Sequence, residues 1–222
     1  MIIIIKQVVK IGGSLFPKYA IELAKRLENT NSVIILGGGE FANLIRRYDD
    51  EIDFSDEANH WTAIDCMDII AKLVCDKVDS CKLAYSIEDV EKISDEGFTP
   101  IFVVSQFLRE NDPFECSWDV TSDSISAYVA HLLNANLLIV TNVNGIYTQE
   151  PKEPGSTFIS KIDAKTILTF QESSNDVMLP SLLLRYGTNC YVVNGKYPER
   201  VLSLIDDNIN DYNFDYTQIT GD

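Results

Sequence analysis

The sequence is short of positive charge. Its 222 residues include 18 lysines and arginines against 34 aspartates and glutamates, which gives a formal net charge of −16. A field of this sign opposes the approach of nucleic acids and of anionic membrane surfaces, so we expect neither as a partner. Any anion site must therefore be a small positive region, and the few lysines that lie beside glycines gain importance.

Long apolar runs and closely paired cysteines are also scarce. The isoleucines at residues 2–5 are followed by Lys6, so this run is too short to span a membrane, and it lacks the small-residue cleavage site of a secretory signal. The cysteines show no close spacing of the zinc type, and we expect them to be reduced and mostly buried in a cytoplasmic protein. These five residues are Cys66, Cys75, Cys81, Cys116 and Cys190.

The segments that are present alternate between two kinds, in a chain whose hydrophobic content of 45% is that of a folded soluble protein. Apolar runs, rich in β-branched residues, predict strands at 2–11, 33–36, 82–85, 99–104 and 137–141. Apolar residues at helical spacing predict helices at 19–27, 40–48, 58–78, 87–95 and 122–133. This alternation predicts an α/β protein with a parallel sheet covered by helices on both faces.

Two acidic or polar stretches interrupt this pattern. Residues 49–57 are predicted to form a loop, in which Ser55 or Asp56 caps the helix that follows. The polar tail from Asp206 onward is expected to be loosely ordered.

Two glycine-rich segments follow predicted strands. One reads Lys-Ile-Gly-Gly-Ser at residues 10–14 and the other Gly-Gly-Gly-Glu at residues 37–40. Glycines let the backbone approach an anion closely, and the N-terminus of the following helix favours negative charge. Lys10 would add a full charge and Ser14 a hydrogen bond. A glycine pair after a strand is commonly a simple turn, but two such junctions suggest two phosphate groups at one edge of the sheet.

Two later segments carry candidate polar groups. Thr121 and Ser122 are expected to cap a helix and to leave Asp123 in its first turn, where the helix dipole favours a carboxylate with or without a catalytic role. In residues 141–147, the Asn144-Gly145 pair is typical of a tight hairpin turn that would cross the edge of the sheet.

In this order, the four segments resemble the motifs of the amino acid kinase superfamily, and the resemblance covers nearly the whole chain. It implies a three-layer αβα sandwich with a mainly parallel central sheet, as a single domain over residues 1–222. The N-terminal part would bind the acceptor, and residues from about 115–205 the nucleotide. The donor would be ATP with Mg²⁺, the metal lying mainly on the phosphates without dedicated protein ligands. The acceptor would be a small molecule ending in carboxylate or phosphate, and a homo-oligomer, a dimer or hexamer, is expected.

The resemblance also implies roles for individual residues. Lys10 and Asp123 would be catalytic, with Lys10 neutralising charge on the transferred phosphoryl group and Asp123 orienting Lys10. Besides Lys10, the expected ATP-binding residues are Gly12, Gly13, Ser14, Thr141, Asn142, Gly145, Ile146 and Tyr147. The expected acceptor-binding residues are Gly37, Gly38, Gly39, Asp65 and Ser122.

The sequence departs from the family pattern in two places. Ser181 stands where relatives often have a second lysine. Asn142 and Asn144 stand where many relatives have an acidic residue, which bears on the preference for a nucleotide. The charge of the missing lysine would be lost, or supplied by another basic residue; the candidates are Arg185, Lys161 and Lys165.

Within the superfamily, residues 194–201 and the compact length are most similar to the archaeal kinases of methanofuran biosynthesis. The acceptor would then be a phosphate monoester of a furan that carries an amine at its far end. Trp61 or Phe41 could stack on such a ring, and a carboxylate could pair with the amine. The candidate carboxylates are Asp53, Asp56, Asp65 and Asp68, each of which could instead be simply solvated. His60, beside them, is expected to be a surface or capping residue rather than a ligand.

Two alternatives remain open at this point. The first is another kinase of the same fold, with uridylate kinase as the leading case. The second is a non-catalytic relative that binds ATP or oxyanions for storage or sensing, which the missing lysine favours and the intact Lys10 and Asp123 oppose.

Overall fold

The computed structural model describes residues 4–169, 178–206 and 213–221. Its central element is an eight-stranded sheet with the strand order β3-β4-β2-β1-β5-β9-β10-β8, and β6 and β7 form a separate two-stranded ribbon. The strands are β1 (Gln7–Ile11), β2 (Ser32–Leu36), β3 (Cys81–Ala84), β4 (Thr99–Phe102), β5 (Asn136–Thr141), β6 (Ile146–Tyr147), β7 (Phe158–Ile159), β8 (Lys161–Asp163), β9 (Cys190–Asn194) and β10 (Thr217–Thr220). The helices are α1 (Lys18–Arg26), α2 (Gly39–Ile52), α3 (Asp56–Cys75), α4 (Ile87–Asp95), α5 (Val104–Asn111), α6 (Ser122–Leu132), α7 (Ala164–Ile167), α8 (Met178–Tyr186) and α9 (Pro198–Ile205).

The sheet is mainly parallel, as predicted. The neighbours from β3 to β9 pair in parallel, whereas β10 runs antiparallel to β9 and parallel to β8. Every residue of β1 and β2 is buried, which is typical of strands covered on both faces. Their valine and isoleucine side chains fit this pleated, fully buried environment.

Helices cover the two faces and complete a three-layer αβα sandwich. On one face, alternate strand residues such as Val9 and Ile11 pack with α1, α9 and the C-terminal part of α3. On the other face, the intervening residues, such as Val8, pack with the helices from α4 to α8. Since strand side chains alternate between faces, Lys10 lies on the same face as Val8, beneath α6.

The first strand is shorter than predicted. It begins at Gln7, and Ile4 is 73% exposed; residues 2 and 3 lie outside the described part of the chain. Gln7 pairs with Ser32 and Asn136, which are the first residues of β2 and β5. The backbone of Lys6 still bonds to Asn31 and Asn136, but the described residues Ile4 and Ile5 precede the strand despite the β propensity of isoleucine.

The loop predicted at residues 49–57 is shorter in the structure, where it covers residues 53–55. Helix α2 continues to Ile52 and ends at Asp53, which has a left-handed φ of 59°. Helix α3 begins after Ser55, whose hydroxyl accepts a hydrogen bond from the Ala58 amide at 3.3 Å, as expected for a cap. Apart from Asp53, the acidic residues of this stretch lie within α2 and α3, so a high density of acidic residues does not by itself predict a loop.

Helix α5 was not predicted. Val104, assigned to a strand from the sequence, is its first residue, and the preceding strand ends at Phe102.

The hairpin turn predicted at Asn144-Gly145 is also wrong. Ile146 pairs with Ile159 and Tyr147 with Phe158, so the Asn-Gly pair precedes the ribbon and does not join its strands. A Cβ on Gly145 would collide with the side chain of Thr217. The glycine therefore serves close packing against β10.

The C-terminal tail contributes to the sheet. Residues 207–212 lie outside the described part of the chain, but Thr217–Thr220 form β10 between β9 and β8. The expectation of loose order is therefore wrong for this strand. Within the described residues, no helix combines the length and apolar content needed to cross a membrane.

Candidate active site

The carboxyl ends of four neighbouring strands meet at one edge of the sheet. Ile11 ends β1 beside Leu36 of β2 and Val140 of β5, and Thr141 pairs with Asn194 at the end of β9. Both glycine segments begin at this edge. Open parallel sheets bind ligands outside the carboxyl ends of their strands, so the fold directs both segments to the expected place.

The two glycine segments touch each other. A Cβ on Gly13 would collide with the backbone of Gly39, and one on Gly37 would lie 2.8 Å from the Gly13 amide nitrogen. The same position on Gly37 is 3.1 Å from the Ser122 hydroxyl, so the start of α6 joins the contact. Gly39 has a left-handed φ of 56°, which glycine adopts without steric cost. Glycine is required here because two backbones pass within contact distance.

The backbone N–H groups of these segments are not all equivalent. Gly12 donates to the Val140 carbonyl at 2.7 Å, and Gly37 donates to the Ile11 carbonyl at 2.9 Å. These two groups hold the strand ends together and are not available to an anion. Gly13 and Ser14 open a 3₁₀ turn over Gly13–Leu15, and Gly39 opens α2. N–H groups in the first turn of a helix have no intrahelical acceptor, which makes them the donors at this edge.

A buried ion pair lies beside the glycines. The Lys10 ammonium is 2.6 Å from a carboxylate oxygen of Asp123, and their side chains are 9% and 24% exposed. Thr121 caps α6 by accepting a hydrogen bond from the Asp123 amide at 3.2 Å, which fixes the start of the helix above β1. A Cβ on Gly12 would lie 3.8 Å from the Lys10 ammonium. The pair thus places one cation where both glycine segments meet.

Helices α3 and α5 border this edge on the side of the second glycine segment. A Cβ on Gly38 would lie 3.2 Å from the Cys66 Cβ on α3. Next to it, Asp65 is half-exposed and pairs with Arg109 of α5 at 3.2 Å. The Arg109 guanidinium also stacks 4.6 Å above the Trp61 ring. Asp65 and Trp61, both proposed from the sequence, therefore share one arginine close to the glycine segment.

Two other polar residues of α3 have structural partners. Asp68 is buried and accepts hydrogen bonds from the amide and hydroxyl of Ser105, so it caps α5. Burial raises the pKa of this carboxyl. His60 was expected near the surface, but it is only 2% exposed and pairs with Asp112 at 3.0 Å. These contacts tie α3 to α5 and to the segment after it.

The segment that follows β5 packs against β9, α9 and β10. The Asn144 side chain accepts from Asn194 at 3.0 Å and from Arg200 at 3.4 Å, and it donates to Asp215 at 3.4 Å. The Ile146 amide donates to the Thr217 hydroxyl at 2.8 Å. Asn144 is therefore committed to contacts within the protein. Thr217 lies 71 residues further along the chain than Ile146, so no local pattern indicated it as a partner.

The chain is similar to known proteins in sequence and in fold. Residues 6–194 match the model of the amino acid kinase family. The chain belongs to the amino acid kinase family. It is 36% identical, over 96% of its own length and 97% of the relative's, to the [5-(aminomethyl)furan-3-yl]methyl phosphate kinase of Methanocaldococcus jannaschii. It is 33% identical to the uridylate kinase of Pyrococcus abyssi, over 38% of this chain and 43% of that one. The crystal structure of uridylate kinase from Archaeoglobus fulgidus superposes with a TM-score of 0.73, at 19% identity, covering 96% of this chain and 99% of that one.

These findings confirm the predicted family, fold class and phosphotransferase activity. Ser181, which the resemblance set at the position of a second lysine, is exposed on α8. Arg185, one turn further along, is also exposed, and its guanidinium lies 5.6 Å from the centre of the Tyr186 ring. Lys161 begins β8 and Lys165 lies in α7, and both are exposed. Residues 170–177, which include the segment before Ser181, lie outside the described part of the chain.

Proposed function

We propose that this amino acid kinase transfers the γ-phosphoryl group of ATP to [5-(aminomethyl)furan-3-yl]methyl phosphate and forms the corresponding diphosphate. The observation that carries the proposal is the Lys10–Asp123 pair at the point where two glycine segments touch. The choice of acceptor is supported by the relative that matches over nearly the full length of both chains.

The reaction needs charge neutralisation and alignment more than covalent help from the protein. An oxygen of the acceptor phosphate attacks the γ-phosphorus, and the bond from that phosphorus to the bridging oxygen breaks to release ADP. Lys10 would neutralise the phosphoryl group in transit. Asp123 would orient Lys10 and would not act as a base, because the acceptor phosphate is already ionised.

The two glycine segments would hold the two phosphate groups. The amides of Gly13 and Ser14 would bind the donor, while Gly38, Gly39 and the nearby Ser122 hydroxyl would bind the acceptor. Gly12 and Gly37 would contribute by their small size, since their N–H groups already have carbonyl partners.

The donor would extend from this point over the ends of β5 and β9. Thr141, Asn142, Gly145, Ile146 and Tyr147 remain our proposed nucleotide contacts, within a nucleotide-binding part of about residues 115–205. Among the described residues, no cluster of three histidine, cysteine or acidic side chains could hold a metal ion. Mg²⁺ would supply charge neutralisation while bound mainly to the donor phosphates, with Asp123 as the carboxylate nearest to them.

The amine of the acceptor would be recognised on α3. Asp65 is half-exposed beside the Gly38 segment, and the ammonium would share its carboxylate with Arg109. Asp68 is a poorer choice, because Ser105 already occupies its carboxylate. Trp61 would stack near the furan ring.

We also propose a cytoplasmic location and a homo-oligomeric enzyme.

An acceptor screen tests the proposal. The purified chain is incubated with MgATP and either the furanmethyl phosphate or UMP, and ADP formation and the mass of the product are measured. We expect a gain of one phosphate on the furan compound and much slower turnover of UMP. Faster turnover of UMP would make the protein a uridylate kinase, and absence of turnover on either acceptor would reject the proposed acceptor.

A further inference from the structure

The basic residue identified so far at the candidate donor site, Lys10, is already paired with a carboxylate. A triphosphate carries several negative charges, and the whole chain is strongly anionic. Lys10 is paired with Asp123 at 2.6 Å, so the pair itself adds no net charge. Mg²⁺ would neutralise part of the donor charge, and a second basic side chain at this edge would neutralise more of it.

The sheet topology limits where such a cation can come from. The six parallel strands β1, β2, β3, β4, β5 and β9 end at the edge that carries the glycines. The two residues that follow each of these strands are described, and they include one basic residue, Lys196, at the second position after β9. Strand β9 is the neighbour of β5, which is the neighbour of β1. The end of β9 therefore lies about 10 Å along the edge from the end of β1, given a strand spacing of about 4.8 Å, and Lys196 follows the end of β9.

The backbone around Lys196 is fixed against the phosphate-binding turn. Gly195 donates to the Thr141 carbonyl at 2.8 Å, and the Lys196 amide donates to the Asn194 side chain at 3.1 Å. A Cβ on Gly195 would collide with Val140 and would lie 2.6 Å from Leu15. Leu15 belongs to the same 3₁₀ turn as Gly13 and Ser14. Gly195 is thus held against the turn that carries the proposed donor amides, and Lys196 is the next residue along the chain.

Other basic residues are placed less well. Lys161 pairs with Gln218, which pairs with Tyr191 near the start of β9. It therefore lies away from the edge that carries the glycines, on a strand two positions beyond β9. Lys165 follows the carboxyl end of β8, which lies at the opposite edge of the sheet from the glycines because β8 runs antiparallel to β9. Arg200 is near, but its guanidinium already contacts Asn144 and stacks on Tyr197. Lys196 is exposed, and within the described residues its ammonium has no ion-pair partner.

We infer that Lys196 is the second donor-binding cation. It contacts the α- and β-phosphates of ATP, while Lys10 neutralises charge on the γ-phosphate. The inference rests on the proposed function, because it assumes that the donor lies at this edge. It assigns a second donor-binding charge in a chain whose residue 181 is an uncharged serine.

Nucleotide binding without acceptor provides the test. ATP and ADP affinities are measured by isothermal titration calorimetry for the wild type, Lys196→Met, Lys196→Arg and the control Lys161→Met. We expect Lys196→Met to raise the dissociation constants of both nucleotides about ten-fold, which corresponds to the loss of one charge-assisted contact. Lys196→Arg should restore most of the affinity, and Lys161→Met should match the wild type. In turnover assays Lys196→Met should raise the KM for ATP and leave the KM for the acceptor unchanged.

Two outcomes separate this inference from the proposed function. If Lys196→Met binds both nucleotides as tightly as the wild type while its thermal unfolding is unchanged, the inference is wrong and the kinase assignment stands. If Lys196→Met loses affinity but no phosphate acceptor is turned over by the wild type, the inference stands and the proposed acceptor is wrong.

Discussion

At the scale of single residues, the buried Lys10–Asp123 pair should control turnover more than binding. Removing the ammonium would leave the glycine amides in place but take away the charge that we propose for the transferred group. We expect Lys10→Met to lower kcat by about 10²- to 10³-fold, with a smaller change in the affinity for ADP. Steady-state kinetics and calorimetric titration measure the two effects.

A matched control for this substitution is Lys25→Met, since Lys25 is exposed in the last turn of α1. Its kinetics should equal those of the wild type. If Lys10→Met kept more than a tenth of the wild-type kcat while folded, Lys10 would not be the catalytic cation.

Gly13 should tolerate no side chain, because its missing Cβ leaves room for the backbone of Gly39. Gly13→Ala must push the two glycine segments apart, and we expect it to lower the free energy of unfolding by about 1–3 kcal/mol and to abolish activity. Urea unfolding and the kinase assay measure both changes.

Gly97→Ala is the comparison, because Gly97 has a φ of 83° but no atom within 4 Å of an added Cβ. This variant should lose about 1 kcal/mol to backbone strain and keep its activity. Full activity in Gly13→Ala would show that the two segments do not need to touch.

At the scale of elements, the cap that Asp68 provides for α5 should depend on pH. Burial raises the pKa of Asp68 in the folded state above its ordinary value near 3.8. The folded protein then binds more protons than the unfolded chain between these two pKa values, so this group costs stability as pH rises through that range. Asp68→Asn retains an acceptor for Ser105 and carries no charge. We expect the stability of this variant relative to the wild type to increase with pH from about 4 upward.

Asp163 supplies a control of opposite sign. Its side chain caps α7 by accepting from Thr166 at 2.7 Å, and these hydrogen bonds lower its pKa. The stability that it contributes is present above pH 3.8 and is lost as pH falls through its lowered folded pKa, so Asp163→Asn should be destabilising at neutral pH. Unfolding in urea at several pH values distinguishes the two cases. A parallel pH dependence in both variants would contradict the burial of Asp68.

The elements also show what a sequence can and cannot reveal here. The glycine segments and the caps at Ser55 and Thr121 follow local rules, and the structure bears out where these residues lie. Helix α5 had a readable signal, with Val104, Phe107 and Leu108 at helical spacing, but its cap comes from Asp68, 37 residues earlier in the chain.

Two errors arose from contacts between distant residues. Asn144-Gly145 fits a turn signal, but the glycine is needed because Thr217 packs on it. The polar composition of the tail did not predict a strand. Strand β10 forms because its backbone pairs with β9 on one side and with β8 on the other. Such pairings depend on sheet topology and cannot be read from residue patterns nearby.

At the scale of the whole molecule, helix α2 is the feature that a monomer explains least well. No residue of this 14-residue helix is buried. Four large apolar residues repeat along one face of it, with exposed fractions of 37% to 59%; they are Phe41, Leu44, Tyr48 and Ile52. A contiguous exposed apolar stripe marks an interaction surface. Antiparallel pairing of two copies of α2 centred near Tyr48 would set Leu44 against Ile52 and support the proposed homo-oligomer.

This arrangement predicts how assembly responds to mutation and to salt. Leu44→Asp places a charge in the paired stripe and should shift the protein toward monomer in analytical ultracentrifugation, whereas Leu132→Asp, at an equally exposed position on α6, should not. Two chains of net charge −16 repel each other, and salt screens that repulsion without weakening apolar contact. Raising the salt from about 0.05 to 0.5 M should therefore tighten association of the wild type. A wild-type protein that stays monomeric at both salt concentrations, or a Leu44→Asp variant that assembles normally, would mean that α2 faces solvent in the working enzyme.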